Sequence, residues 1–460
     1  MDLSIWHIIF MGITVAVVIG AGIYAARSVH STEGYSLGGR SSGVPMIAGS
    51  IAGTLIGGGA TVGTAQLAFS YGLAAWWFTL GSGIALAIMG FFYAREMRES
   101  GLATIPEFLC TFYGKRSEGI SSVISSIGIL LSIIASTLPG IQIISAFFHV
   151  SPWTSAGILL LLVVLYTFFG GMKSAGVGGI MKMLVIFFSL FIAGYSAFEG
   201  LMAMPDYDAI FPPMPWHSLF GEGVQPALTS FISVVVGVLC TQTYVQAIFS
   251  ASTPVTAAAG CITAAAIIIP VGLPSVAIGM YMHAVHPETL PILVLPAYLI
   301  AHESTLLAGV AMGGIMLSLI GSIGGLALGV GTMVSHDIIA LLFKIKDDSK
   351  LLFLTRLSVV AVILIASVVS IMNLDSEVLF WNYLSMALRG GGIFLPLTLA
   401  VFKPGCIKPS WALASMALST LASILTATVY PLPLSPLFVG LIVSAVILIP
   451  GYFVRRIEHR

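Results

Sequence analysis

The chain has 460 residues, of which 58% are hydrophobic and 8% charged, with 18 basic and 18 acidic side chains. A mean hydropathy of +1.06 is far from that of a soluble domain, and a formal net charge of zero speaks against the basic surface a nucleic-acid partner would need. Cys110, Cys240, Cys261 and Cys406 are scattered with no paired spacing, which supports neither a zinc site nor a disulfide framework.

Apolar runs of about 20 residues, the length that spans a hydrocarbon core, recur from end to end. The hydropathy predicts about thirteen spans, at 4–27, 44–71, 75–95, 120–148, 152–170, 178–199, 227–249, 256–283, 305–340, 351–373, 378–401, 409–429 and 434–454. The first run, Ile5–Ala26, lacks a basic leader and a small-residue cleavage site, so it reads as a retained span. All Lys and Arg residues except Lys182 and Arg389 fall in alternate loops or the span ends beside them, and the opposing loops at 200–226 and 284–304 have none. That bias predicts an N-out, C-in chain in a cell membrane, crossing it many times. Asp206, Asp208, Glu222, Glu288, Glu303, Asp375 and Glu377 fall in the outer loops.

The second span carries three consecutive glycines, Gly57, Gly58 and Gly59. Each weakens a helix by about 1 kcal/mol relative to alanine, so the run predicts a break. Unwound backbone at membrane depth is tolerated where protein buries it or where it lines a wet cavity, and transporters use such breaks to present carbonyls to a cation. A packing face of small residues is the competing explanation. The seventh span repeats the theme with Gly237 beside Thr241, Gln242 and Thr243. The odd spacing between the two breaks predicts a five-plus-five inverted repeat within one transmembrane transporter domain over 1–460. Its parts would be an extra first span and loop (1–43), a first repeat (44–225), a second repeat (226–401) and two extra spans (402–460).

Several motifs then resemble the sodium:solute symporter family. They are TEGYSLGGR (32–40), LATIPEFLCTFYGKR (102–116), YTFFGGMKS (166–174), TQTYVQAIFSAST (241–253) and GSIGGLALGVGTMVSHDII (321–339), in the family's order. The resemblance implies thirteen spans around a LeuT-type core and a shared sodium site between the second and ninth spans. Carried over, that site would use Gly53, Ile56 and Ser318, with Ser322 supplying one hydroxyl and Gly321 standing where the family has a second. The chain also departs from the family on the sixth span. Gly178 and Gly179 replace a Thr-Asp pair and Lys182 replaces a glutamine, so an acid is lost and a cation gained near the sodium route. In related LeuT-fold carriers a lysine fills the sodium site. The bland reading is that Lys182 snorkels to the cytoplasm.

Arg389 lies about 16 Å into the eleventh span at 1.5 Å per residue, followed by Gly390, Gly391 and Gly392. A mid-membrane arginine costs at least about 2.5–3.5 kcal/mol, so freed carbonyls or an anionic solute must hold it; arginine grips carboxylates bidentately. Polar positions expected to line the cavity are Thr54, Thr61, Thr64, Gln66, Ser233, Thr241 and Gln242, with Gly57 and Gly58 at the break. Trp76, Trp77 and Phe78 read as an interfacial belt or outer gate. His336 and Asp337 read as a helix end.

Rival classes fare worse. Gly20–Ala25 formally matches G-x-G-x-x-A, but lies in an apolar run with no preceding strand. No metalloprotease motif, nucleophile elbow or channel-type charged ring appears. The expected function is secondary active transport, not enzymatic catalysis: sodium-coupled symport of a small organic solute, a monocarboxylate or other anion. The alternative is a proton-coupled or sodium-independent carrier with Lys182 standing in for the cation. No cofactor beyond Na⁺ as coupling ion is expected. The partners are the solute and the bilayer, without nucleic acid or an obligatory protein.

Overall fold

In lipid a backbone must satisfy its own hydrogen bonds, and the chain does so by helices. The computed structural model describes residues 3–27, 31–168, 171–345, 347–429 and 432–458. Among these, ten helices are long and apolar enough to cross a membrane, and an eleventh if one bent pair counts as a span. We label the helices that matter below: α1 Ile5–Ala26, α2 Val44–Leu55, α3 Thr64–Tyr71, α4 Trp77–Ile88, α5 Lys115–Phe148, α6 Pro152–Thr167 and α7 Gly171–Met202. The second half comprises α8 Val224–Leu239, α9 Gln242–Phe249, α10 Pro254–Val285, α11 Thr305–Met333, α12 Asp348–Ile371, α13 Val378–Phe402, α14 Pro409–Thr428 and α15 Pro436–Glu458. Each of the thirteen predicted stretches contains helix among its described residues. Lys346 and Arg460, counted in the charge bias, and Phe169 and Gly170 of the third motif, lie outside the described residues.

Both predicted breaks are present. The second stretch splits into α2 and α3, and the seventh into α8 and α9, bent by 40° at Cys240–Thr241. The helices α2, α5, α7, α10 and α11 pack around the first break, while α14 and α15 pair with each other outside α13.

The two ends of the bundle differ. At the basic end the chain is latched: Ser42 and Ala251 bridge, with Ser42 N donating to Ser250 O (3.0 Å) and Ser252 N to Ser42 O (3.0 Å). Arg40 Nη1 reaches Leu102 O at 3.1 Å, and Gln246 Nε2 reaches Ser36 O at 2.6 Å. At the acidic end, two depressions of 290 and 330 Å³ share Glu377 and Leu379. One reaches Gly63 and Gln66 just beyond the first break, and the other reaches Ser233. The tryptophans expected at an interface or gate fasten this end. Trp76 Nε1 donates to Ile269 O (2.8 Å) and Trp77 Nε1 to Leu219 O in the 203–223 loop (2.6 Å).

Candidate functional site

The first break is built by diverted hydrogen bonds. Within a helix Gly53 O would accept from Gly57 N; instead Gly57 N donates to Leu55 O at 2.8 Å, and Ile56 leaves the helical region with ψ 78°. A π-type turn at Gly59–Gly63 restarts the helix, with Gly63 N on Gly58 O at 2.7 Å. The carbonyls of Gly53 and Ile56 are thereby left to find donors elsewhere.

They find Lys182. Its ammonium donates to Gly53 O, to Ile56 O at 2.9 Å and to Ser318 O at 3.4 Å. Ser318 Oγ also donates to Ile56 O, at 2.5 Å. An ammonium has three donors, and here three carbonyls receive them. The lysine is 1% exposed, and it lies about 16 Å along α7 from Gly171, three turns inside the helix. The snorkelling expectation is thus overturned: α7 begins well before the predicted span, and the side chain points inward. Of the sodium ligands expected by resemblance, Gly53, Ile56 and Ser318 come together; Ser322 does not join them. Its hydroxyl faces Gly57 and accepts from Ser136 Oγ at 3.2 Å. The oxygen set suits a hard cation, but the side chain in it is a lysine.

The departures from the family pattern form one packing solution. A Cβ added at Gly53 would sit 2.6 Å from Gly179 Cα, and one at Gly179 would overlap Gly49 O. So α2 and α7 cross glycine on glycine, at a distance no aspartate at 179 would permit. A Cβ at Gly321 would lie 3.2 Å from Lys182 Nζ, in the space the family's second hydroxyl residue would need. Losing the acid lets α7 approach, the approach seats the lysine, and the glycine at 321 leaves it room.

The expected solute ligands are not gathered in one place. Thr54 packs its side chain against Gly325 of α11, and Thr241 Oγ1, at the second break, is spent on Gly237 O of α8 (2.7 Å). Ser233 lines the outer depression. Gln242, expected in the cavity, instead clamps the basic end. Its Oε1 accepts from Ile105 N (2.8 Å) and its Nε2 donates to Ala103 O (3.1 Å). Thr61 and Thr64 donate back to Gly57 O and Gly59 O, both at 2.9 Å, and Gln66 Oε1 accepts from Val378 N at 3.3 Å. Gly57 and Gly58 press on Ser136 and Ala135 of α5, and Gly59 on Phe78 and Asn382. Ser136 and Asn382 escaped the sequence reading. The signal for the serine was present: Ser122, Ser125, Ser132 and Ser136 recur at helical spacing on one face of α5.

Arg389 is as deeply buried as Lys182, at 1% exposed. It packs on Gly128 beside Cys240 and Tyr244. Among the described residues its guanidinium makes one long hydrogen bond, Nη2 to Ser132 Oγ at 3.4 Å, and Nε and Nη1 have no partner. Asp337 lies on the π-type turn that ends the ninth stretch, buried, accepting from Thr104 Oγ1 at 3.1 Å.

Two helices broken at mid-depth, one lending free carbonyls to a cationic group, define a LeuT-type carrier. The sodium:solute symporter family model matches residues 35–418. The chain belongs to that family. A high affinity choline transporter from Homo sapiens is 27% identical over 277 residues, covering 56% of this chain and 47% of that protein. The chain spans about half the length of the curated relatives it matches. Among solved structures, a Na⁺-coupled sialic acid symporter in an outward-open, substrate-bound state superposes with a TM-score of 0.84 at 18% identity, over 99% of this chain and 98% of that one. A nucleobase-cation-symport-1 family transporter with bound bromovinylhydantoin gives 0.64 at 14%, over 93% and 95%. These likenesses establish the fold of a membrane transporter.

Proposed function

We propose that the chain moves a small organic solute by alternating access, and that the Lys182 ammonium takes the place of sodium in the helix-break cradle. The observation behind this reading is that three carbonyls, from both sides of the expected site, receive the three donors of one buried lysine. A protonated Lys182 ties α2 to α11 through Ser318. A neutral amine has one donor fewer and releases part of that tie. Proton loss or gain at this nitrogen is therefore the event that biases one conformation over the other, as any coupling ion must. Family membership favours sodium-coupled symport instead, which requires the lysine to vacate the carbonyls.

For the solute, the Arg389 guanidinium, whose Nε and Nη1 have no partner among the described residues, supports an organic anion, a monocarboxylate in the simplest case. Glu222 and Glu377 at the outer mouth favour a second reading, a choline-like cation such as the human relative's name indicates.

Proteoliposomes test both points. Uptake of labelled short monocarboxylates and of choline is measured under an imposed sodium gradient and, separately, an imposed pH gradient. The reading expects monocarboxylate uptake that ignores sodium and responds to pH. Sodium-driven accumulation of either solute contradicts the lysine assignment, and choline uptake alone contradicts the anion.

A further inference from the structure

A large depression lies at the basic end, away from both breaks. It is a groove of 780 Å³ between α5, α14 and the end of the ninth stretch, walled by aliphatic side chains such as Ile120, Val123, Leu341 and Leu421, with Lys115 and Arg116 at its rim. Both basic residues are exposed at the first turn of α5. Of the nearby carboxylates, Glu118 meets the Cys110 thiol, Glu107 accepts from Ala103 N and Asp337 Oδ1 accepts from Thr104, and among the described residues none forms an ion pair with Lys115 or Arg116. The rim thus presents two exposed cations above an apolar slot. On the inner wall, Asp337 Oδ2 and Thr420 Oγ1 are buried without partners among the described residues.

A basic rim over an apolar slot between spans, at the end the charge bias assigns to the cytoplasm, is complementary to one class of molecule. We propose that this groove binds a single anionic phospholipid of the phosphatidylglycerol type. Its phosphate sits between Lys115 and Arg116 and an acyl chain lies along Ile120, Val123 and Leu421. The site is separate from the transport cradle, and it shares Asp337 with the latch through Thr104, whose neighbour Ile105 donates to Gln242.

The test is native mass spectrometry of detergent-purified protein titrated with phosphatidylglycerol and with phosphatidylcholine of matched chains. Two variants attack the site differently. The double variant Lys115→Ser, Arg116→Ser removes the phosphate contacts. Gly119→Leu puts a side chain into the slot at a position where a Cβ meets nothing within 4 Å. Unfolding temperature without lipid checks that the variants are folded. We expect the wild type to retain phosphatidylglycerol with roughly tenfold preference, and both variants to lose that preference. Equal retention of the two lipids by the wild type, or a preference that survives in both variants, overturns the proposal.

Discussion

Lys182 and Arg389 are both cations buried in the middle of the bundle, yet their surroundings are opposite. Lys182 spends every donor on protein carbonyls that the first break has set free. Arg389, beside the second break, packs on Gly128 near Cys240 and Tyr244 and reaches one serine hydroxyl, and among the described residues two of its three guanidinium nitrogens have no partner. An unsatisfied buried charge is expensive, whereas a fully hydrogen-bonded one need not be. The lysine is thus a finished part of the structure and the arginine an unfinished one, which is the physical difference between a built-in cation and a residue awaiting a ligand.

The comparison can be broken most severely at the crossing that seats the lysine. Gly179→Ala drives a methyl into the Gly49 carbonyl, and we expect a loss of about 3 kcal/mol or more in detergent unfolding. A stability close to wild type would mean that α2 and α7 are not held at the described distance. Next come paired substitutions of the two cations. Lys182→Met strips the carbonyls of their donors and should cost about 1–3 kcal/mol. Arg389→Met removes an unpartnered charge and should leave unliganded stability unchanged or raise it by about 1 kcal/mol, while abolishing solute transport. Equal losses in both variants would erase the distinction.

The smallest effect is at the acidic end. Burial, together with Glu377 beside it, holds the Glu222 carboxyl above the usual carboxylate range. The folded state therefore binds this proton more tightly than the unfolded one, and stability rises as pH falls through that raised value. Glu222→Gln should raise the unfolding temperature slightly at pH 7.5, with the gain shrinking towards pH 4. A gain that is constant with pH would point to a cause other than ionisation.

Much of this was legible in the sequence because it is local. Hydropathy located the long apolar helices but not the short ones at Ile105–Tyr113 and Val294–His302, and Gly57–Gly59 located the first break. The carbonyls of Gly53, Ile56 and Ser318 followed from motifs that flank them. What failed was reach. The depth of Lys182 depends on where α7 starts, and the helix runs on to Gly171 through polar and glycine positions that hydropathy discounts. Gln242 looked like a cavity residue because it borders the second break; its partners come from the 103–105 loop, more than a hundred residues away. The same motif comparison marked Gly179, Lys182 and Gly321 as three separate anomalies. Only packing reveals them as one.

The central claim is that a lysine fills the cation cradle, and sodium-dependent thermal unfolding tests it most directly. Wild type and Lys182→Gln are melted in sodium, potassium or choline chloride at matched ionic strength. A ligand at 100 times its Kd stabilises by about 2.7 kcal/mol. The account predicts no sodium-specific shift in the wild type and its emergence in Lys182→Gln, where the Gly53, Ile56 and Ser318 carbonyls are released. A sodium-specific shift in the wild type, lost on Ser322→Ala, would contradict it and place the ion in the cradle after all.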